Sequence, residues 1–280
     1  MTPRFSSLTF TFRRTLAVAV RIGALRRPLL KSAIIYLVFL IANLIQAPTT
    51  LIPQKGSSVV TSKDKRSGWE ATWGMEELRI QEKKAVRFTE TGSGRLSTYS
   101  QSVRWSVRST WLAQGAFRPL DTEKTITATD GRVLLVERKH FDPDMGTVRL
   151  ERTQEGRTET KTLEVPADTL AIEGLAGVLR FANVPKFRSL SAHVLTNEPE
   201  VYSVSFEWRD EERVTTPAGE FNCYKVEMVP HLGLLNVVRP FIQKTYFWFT
   251  VAAPYNWIRY QGPESGPGTP EVVMSLSHMD

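Results

Sequence analysis

Beyond residue 67 the sequence keeps returning to one pattern: short runs of β-branched and aromatic residues, apolar at every second position, set between turn formers. A period of two is the side-chain period of a strand, so the pattern dictates strands with distinct faces. The clearest case is the run STYSQSVRWSVRSTWL, which ends at Leu112. In it Val103, Trp105 and Val107 share one face, while Arg104, Ser106 and Arg108 take the other. Asp130-Gly131 is a turn pair followed by RVLLVERKHF, and Asp142-Pro143-Asp144-Met145-Gly146 is a second turn leading into TVRLERT and RTETKTLEV. Hairpin spacing of this kind predicts an antiparallel meander. Further strands are expected over Ser189–Leu195, Val201–Val214, Glu220–Met228, Lys244–Val251, Trp257–Gln261 and Val272–Ser277.

One helix is expected to interrupt the strands. Asp168 can accept from first-turn amides, and Leu170, Leu175, Leu179 and Ala182 then fall near one stripe. Gly174 and Gly177 weaken such a helix in isolation, so it should depend on packing against the sheet. The strand at Tyr246–Phe249 is aromatic on both faces, which predicts a second apolar covering beyond the sheet itself.

The charge is distributed unevenly. Formal net charge is +7, which invites a nucleic-acid reading. Seven of the 36 basic residues, however, lie in residues 1–47, where there is no acid, and the remaining 29 equal the 29 acidic residues. A neutral domain offers no field for a phosphate backbone, so nucleic acid is excluded as the expected partner. Residues 1–47 instead place cations before the uncharged run SAIIYLVFLIANLIQA, Ser32–Ala47, the order of a secretory signal. At 16 residues this run borders the roughly 17–25 needed to span a bilayer. Cleavage near Ala47 and retention as an inner-membrane anchor both stay open, the second giving membrane contact through residues 32–47. Cys223 is the sole cysteine, so no internal disulfide and no lipoprotein attachment point after the apolar run can form. Residues 48–67, polar and dotted with Pro, Gly and Ser, read as a linker, and residues 68–280 as one β domain.

The segment Val214-Thr215-Thr216-Pro217-Ala218-Gly219-Glu220-Phe221, followed by Tyr224-Lys225-Val226-Glu227, resembles a hairpin of the bacterial domain-of-unknown-function 3108 family. Lys244-Thr245-Tyr246-Phe247-Trp248-Phe249 with its return strand Trp257-Ile258-Arg259-Tyr260 is similar to that family too, as are Phe117–Leu120, Phe141-Asp142 and Val165–Thr169 in their order. The resemblance implies a periplasmic or envelope protein built on a strongly curved antiparallel sheet, an open or half β-barrel like those of outer-membrane lipoprotein carriers. It implies no catalytic residues.

The residues themselves offer little chemistry. No G-x-S-x-G elbow and no phosphate-binding G-x-x-x-x-G-K-[ST] loop is present. His140, Asp142 and Asp144 are the best metal candidates, but they lack a fourth ligand and read as a polar turn whose carboxylates cap amides. No metal, cofactor or catalytic residue is therefore expected. What remains is aromatic and aliphatic. Trp105, Trp111, Leu175, Leu179, Trp208 and Trp248 are the candidates to line a pocket for a lipid or acyl chain, with the Asp168 helix and the apolar segment Leu232–Phe241 as a lid. The expectation is an all-β, non-catalytic envelope protein that binds a hydrophobic ligand. The alternative is an envelope scaffold with a filled core that pairs with other envelope proteins.

Overall fold

The computed structural model describes residues 45, 53–62, 64, 67–114, 116–182, 188–231, 243–266 and 268–280. All of them fall in the compact unit Val38–Asp280. The predicted membrane segment at residues 32–47, apart from Ile45, and the apolar segment 232–241 lie outside the described residues. Among those described, no helix is long and apolar enough to cross a membrane.

The strands form one 15-stranded sheet. In chain order they are β1 Gln54–Ser62, β2 Gly68–Ile80, β3 Lys83–Arg95, β4 Val103–Gln114, β5 Ala116–Ala128, β6 Val133–Asp142, β7 Thr147–Gln154 and β8 Arg157–Glu164. They continue as β9 Thr169–Ala171, β10 Ser189–Leu195, β11 Val201–Thr216, β12 Gly219–Pro230, β13 Thr245–Thr250, β14 Trp257–Pro263 and β15 Glu271–Met279. From β8 the spatial order runs back through β1, crosses to β15 and descends to β9. Every pairing is antiparallel except the parallel one between β9 and β10. The sheet curls without closing: β9, at one end of the order, packs against β5 in the opposite half.

The curl gives the sheet an inner face filled by two apolar clusters. The larger joins Met75, Val86, Trp111, Phe117, Phe141 and Val148 from one half to Val194, Phe206, Tyr224, Phe247 and Phe249 from the other. Ile45 is buried in it, with its carbonyl accepting from the Phe117 N–H at 3.3 Å. The second holds Val60, Trp69, Ala71, Val103, Trp105, Ile126, Leu135 and Val272. The alternation of Val103, Trp105 and Val107 against Arg104, Ser106 and Arg108 is the one expected.

On the other face of β12–β13, Cys223 and Trp248 join Val214, Ile258 and Leu276 in a third cluster. Its covering is the end of the β11–β12 hairpin. There the Ala218 N–H donates to the Leu276 carbonyl at 3.4 Å and Arg259 donates to the Thr215 carbonyl at 2.5 Å. This is the second covering that the two-faced aromatic strand requires.

Two expectations need correction. Residues 48–67 are not simply a linker, because Gln54–Ser62 form β1 between β2 and β15. The helix expected from Asp168 is also shorter. Thr169–Ala171 is buried as β9, and α1 spans only Leu175–Leu179 after Gly174, with no side-chain cap. Asp168 instead meets His193 Nδ1 at 2.7 Å. Backbone pairing of β9 with β10 and burial of three apolar residues outcompete a helical turn there.

Candidate functional site

Strand register lays two rows across the inner face. One runs Trp73, Glu90, Val107, Lys124, Glu137, and the next runs Met75, Phe88, Ser109, Thr122, Lys139, from β2 to β6. Paired residues point to the same side, so both rows face inward. They form a belt with polar members between the two apolar clusters, and a cleft of about 330 Å³ opens over it.

The segment 172–180 forms the roof. Ile172, Glu173, Gly174, Leu175, Ala176, Gly177 and Arg180 line the cleft from above; Trp73, Met75, Phe88, Val107, Phe247, Trp257, Tyr260 and Met274 supply apolar walls. The roof sits close because it carries no side chain where it crosses β3. A Cβ on Gly177 would lie 2.0 Å from the Phe88 ring, and one on Gly174 2.9 Å from it. Gly174 also adopts φ 80°, a conformation glycine takes at little cost.

Polar bonds fix the roof on two strands. Ser109 Oγ donates to the Glu173 carbonyl at 2.9 Å and accepts from Trp111 Nε1 at 2.7 Å. The fully buried Lys139 ammonium lies 2.5 Å from Glu173 and 3.3 Å from Glu137, and also reaches the Thr196 carbonyl. Burial alone would lower the Lys139 pKa, but the Glu173 and Glu137 carboxylates outweigh it and hold the ammonium above its ordinary range. Glu90 is raised from the ordinary carboxylate range by burial, offset in part by the 2.9 Å bond from Trp105 Nε1 and by the Lys124 charge.

At the other end of the roof, Arg180 is 4 % exposed. One Nη donates to Gln54 Oε1, the other to the Pro254 carbonyl at 2.8 Å, and the guanidinium stands 4.9 Å from the centre of the Phe181 ring.

The six residues proposed from sequence divide. Leu175 lines the cleft. Trp105 and Trp111 stand one contact behind it, bonded to the lining residues Glu90 and Ser109. Leu179 is buried in the larger cluster, and Trp208 borders that cluster with Arg188 4.8 Å from its ring centre. Trp248 belongs to the third cluster and donates to Glu212 at 2.5 Å, so it is not brought to the cleft. Trp73 and Trp257, edge-on to each other at 6.4 Å, occupy the position sequence reasoning gave to Trp248. The parity Trp69, Ala71, Trp73, Met75 carried the signal for the first of them.

No histidine or cysteine lines the cleft, and its Ser109 hydroxyl is engaged on both sides. His193 with Asp168, and His231 with Ser205 at 2.5 Å, are two separate pairs. On β10 and β11, His193 and Ser205 sit at strand parity opposite to the buried Val194 and Phe206. Asp142 accepts from the Asp144 and Met145 amides, a turn cap. Among the described residues no group of metal-ligating side chains assembles. The site is an apolar recess with a few fixed charges.

Residues 66–262 match the family model of a protein of unknown function, DUF3108. The chain belongs to this family. Among curated proteins none matches it. A β-barrel-like protein of the DUF1849 domain of unknown function from Brucella abortus is 10% identical, over 83% of this chain and 98% of that one, with a TM-score of 0.51. That likeness is one of fold. A protein with a YmcC-like fold from Bacteroides fragilis is 11% identical over 81% of this chain and 95% of its own, with a TM-score of 0.33. The DUF3108 sheet is thus an open, curled, barrel-like one, as the sequence resemblance implied.

Proposed function

We propose that this DUF3108 protein is a non-catalytic cell-envelope protein that holds a hydrophobic ligand, a lipid or acyl chain, in the cleft beneath residues 172–180. One observation carries the reading: the inner face is densely filled by two apolar clusters, yet between them stands a recess of about 330 Å³ walled by Trp73, Phe88, Phe247 and Trp257. Protein interiors leave few voids above the size of a water. Ligand cavities span roughly 300–1,000 Å³, so a recess at the small end suits one chain rather than a multi-chain lipid. The envelope assignment rests on the seven uncompensated cations ahead of Ser32–Ala47 and on the neutral remainder. The product is periplasmic, either free after cleavage near Ala47 or held by residues 32–47.

The test begins with protein purified from the envelope of a Gram-negative host, extracted with organic solvent and analysed by mass spectrometry beside its intact mass. A stoichiometric lipid is the expected result. Delipidated protein should then bind an environment-sensitive apolar probe, and Val107→Phe, which fills the recess, should abolish that binding while the protein stays folded. A bare chain whose Val107→Phe form binds the probe like the wild type would sink the proposal.

A further inference from the structure

The cleft treats its charged groups unequally. Its carboxylates each have donors: Glu90 has Trp105, Glu173 has Lys139, and Glu264 has the Ser97 N–H at 2.8 Å and the Ser67 hydroxyl. Arg180 does not have the converse. Its two bonds go to neutral oxygens, its Nε–H has no partner, and among the described residues no carboxylate forms an ion pair with it. An unpaired buried cation is costly, and arginine is almost never buried without an anion. Burial accordingly lowers its pKa to about 10, with nearby Tyr224 opposing slightly.

We propose that Arg180 receives the anionic head of the ligand, so that the cleft selects single-chain amphiphiles ending in a carboxylate or phosphate over neutral ones of the same length. This rests on the reading of the cleft as a hydrophobic site. The guanidinium is a planar fork matched to such oxyanions. Its buried Nε–H is unpartnered and Arg180 lines the recess beside Gln54, while the apolar walls of Trp73, Phe88 and Trp257 accept the chain. Gln54, itself donating to Asn256, and the Pro254 carbonyl hold the fork in place.

The experiment measures calorimetric binding of dodecanoate, dodecyl phosphate, dodecanol and dodecylamine to the delipidated full chain. Tenfold or greater preference for the two anions over the alcohol is expected, with the amine weakest. Arg180→Gln should bring anion and alcohol to equal affinity. Arg180→Lys, which keeps the charge but loses the fork, should retain part of the preference. Equal wild-type affinities for acid and alcohol, or a preference that survives Arg180→Gln, would overturn the role of Arg180 and leave the hydrophobic site standing. No binding of any chain would overturn both. Inorganic phosphate competing as well as dodecyl phosphate would make the site one for a free anion and overturn the amphiphile.

Discussion

Gly177 lies flush on the ring of Phe88, so close that a Cβ would stand 2.0 Å from the ring carbon Cε1. The roof of the cleft rests on β3 through this contact. Gly177→Ala should therefore destabilise the protein by roughly 1–3 kcal/mol, the usual cost of overpacking. In the background of Phe88→Leu, where the ring is gone, the same change should cost markedly less. Urea denaturation of the four proteins gives the coupling; a Gly177→Ala penalty unchanged by Phe88→Leu would show that the contact does not set the position of the roof.

Lys139 ties the roof to β6. Lys139→Met leaves the buried Glu137 and Glu173 carboxylates facing each other without a cation, and breaking such a group by removing one partner costs about 3–5 kcal/mol. Replacing all three by apolar residues of similar volume should recover most of that loss. Equilibrium unfolding at neutral pH measures both. A Lys139→Met protein as stable as wild type would mean that water reaches the group.

Glu90 supplies a pH dependence with a defined sign. Its carboxyl is raised above 4.5 in the folded state by burial, so the native state binds that proton more tightly than the unfolded chain does. Stability is favoured below pH 4.5 and falls as pH rises from there through the native value. Glu90→Gln, which can still accept from Trp105, should be more stable than wild type at pH 7 and match it in acid. Thermal unfolding across that range would contradict this if the variant were the less stable one at pH 7.

Cys223 should resist alkylation. It is fully buried in the third cluster, and burial pushes the thiol up to about 12, so almost no thiolate exists at pH 8. Iodoacetamide should label it only after denaturant unfolds the β11–β12 hairpin. Prompt labelling of native protein, followed by mass spectrometry, would show that the hairpin end does not cover it.

Most strands were legible because one of their faces is buried, which imposes the period of two on the sequence. β1 escaped notice for a physical reason. Gly56 and Ser58 face inward, but the bulk above Gly56 is the ring of Trp73, which would meet a Cβ there at 2.6 Å. The strand borrows its apolar cover from a neighbour and looks like a polar linker. Parity likewise separated Trp248 from Phe247 and Phe249, yet both faces of that strand are apolar, so parity alone could not tell which face turned inward. Arg180 left no mark at all. Its meaning depends on which oxygens surround it, and those come from positions 54 and 254.

The pairing of β1 with β15 joins Gly56 to Met279. The first strand of the sheet thus waits on its last, because among the described strands the two halves pair with each other only at β1 and β15, which are separated by most of the chain. Closure of such a long loop is slow relative to local hairpins. A ribosome or translocation pore releasing this protein from its N-terminal end would hold the seam open until the final strand emerged. β1 would then remain an unpaired edge beside β2, exposed to proteases and holding chaperones, and arrival of the C-terminal strand would be the event that ends its vulnerability.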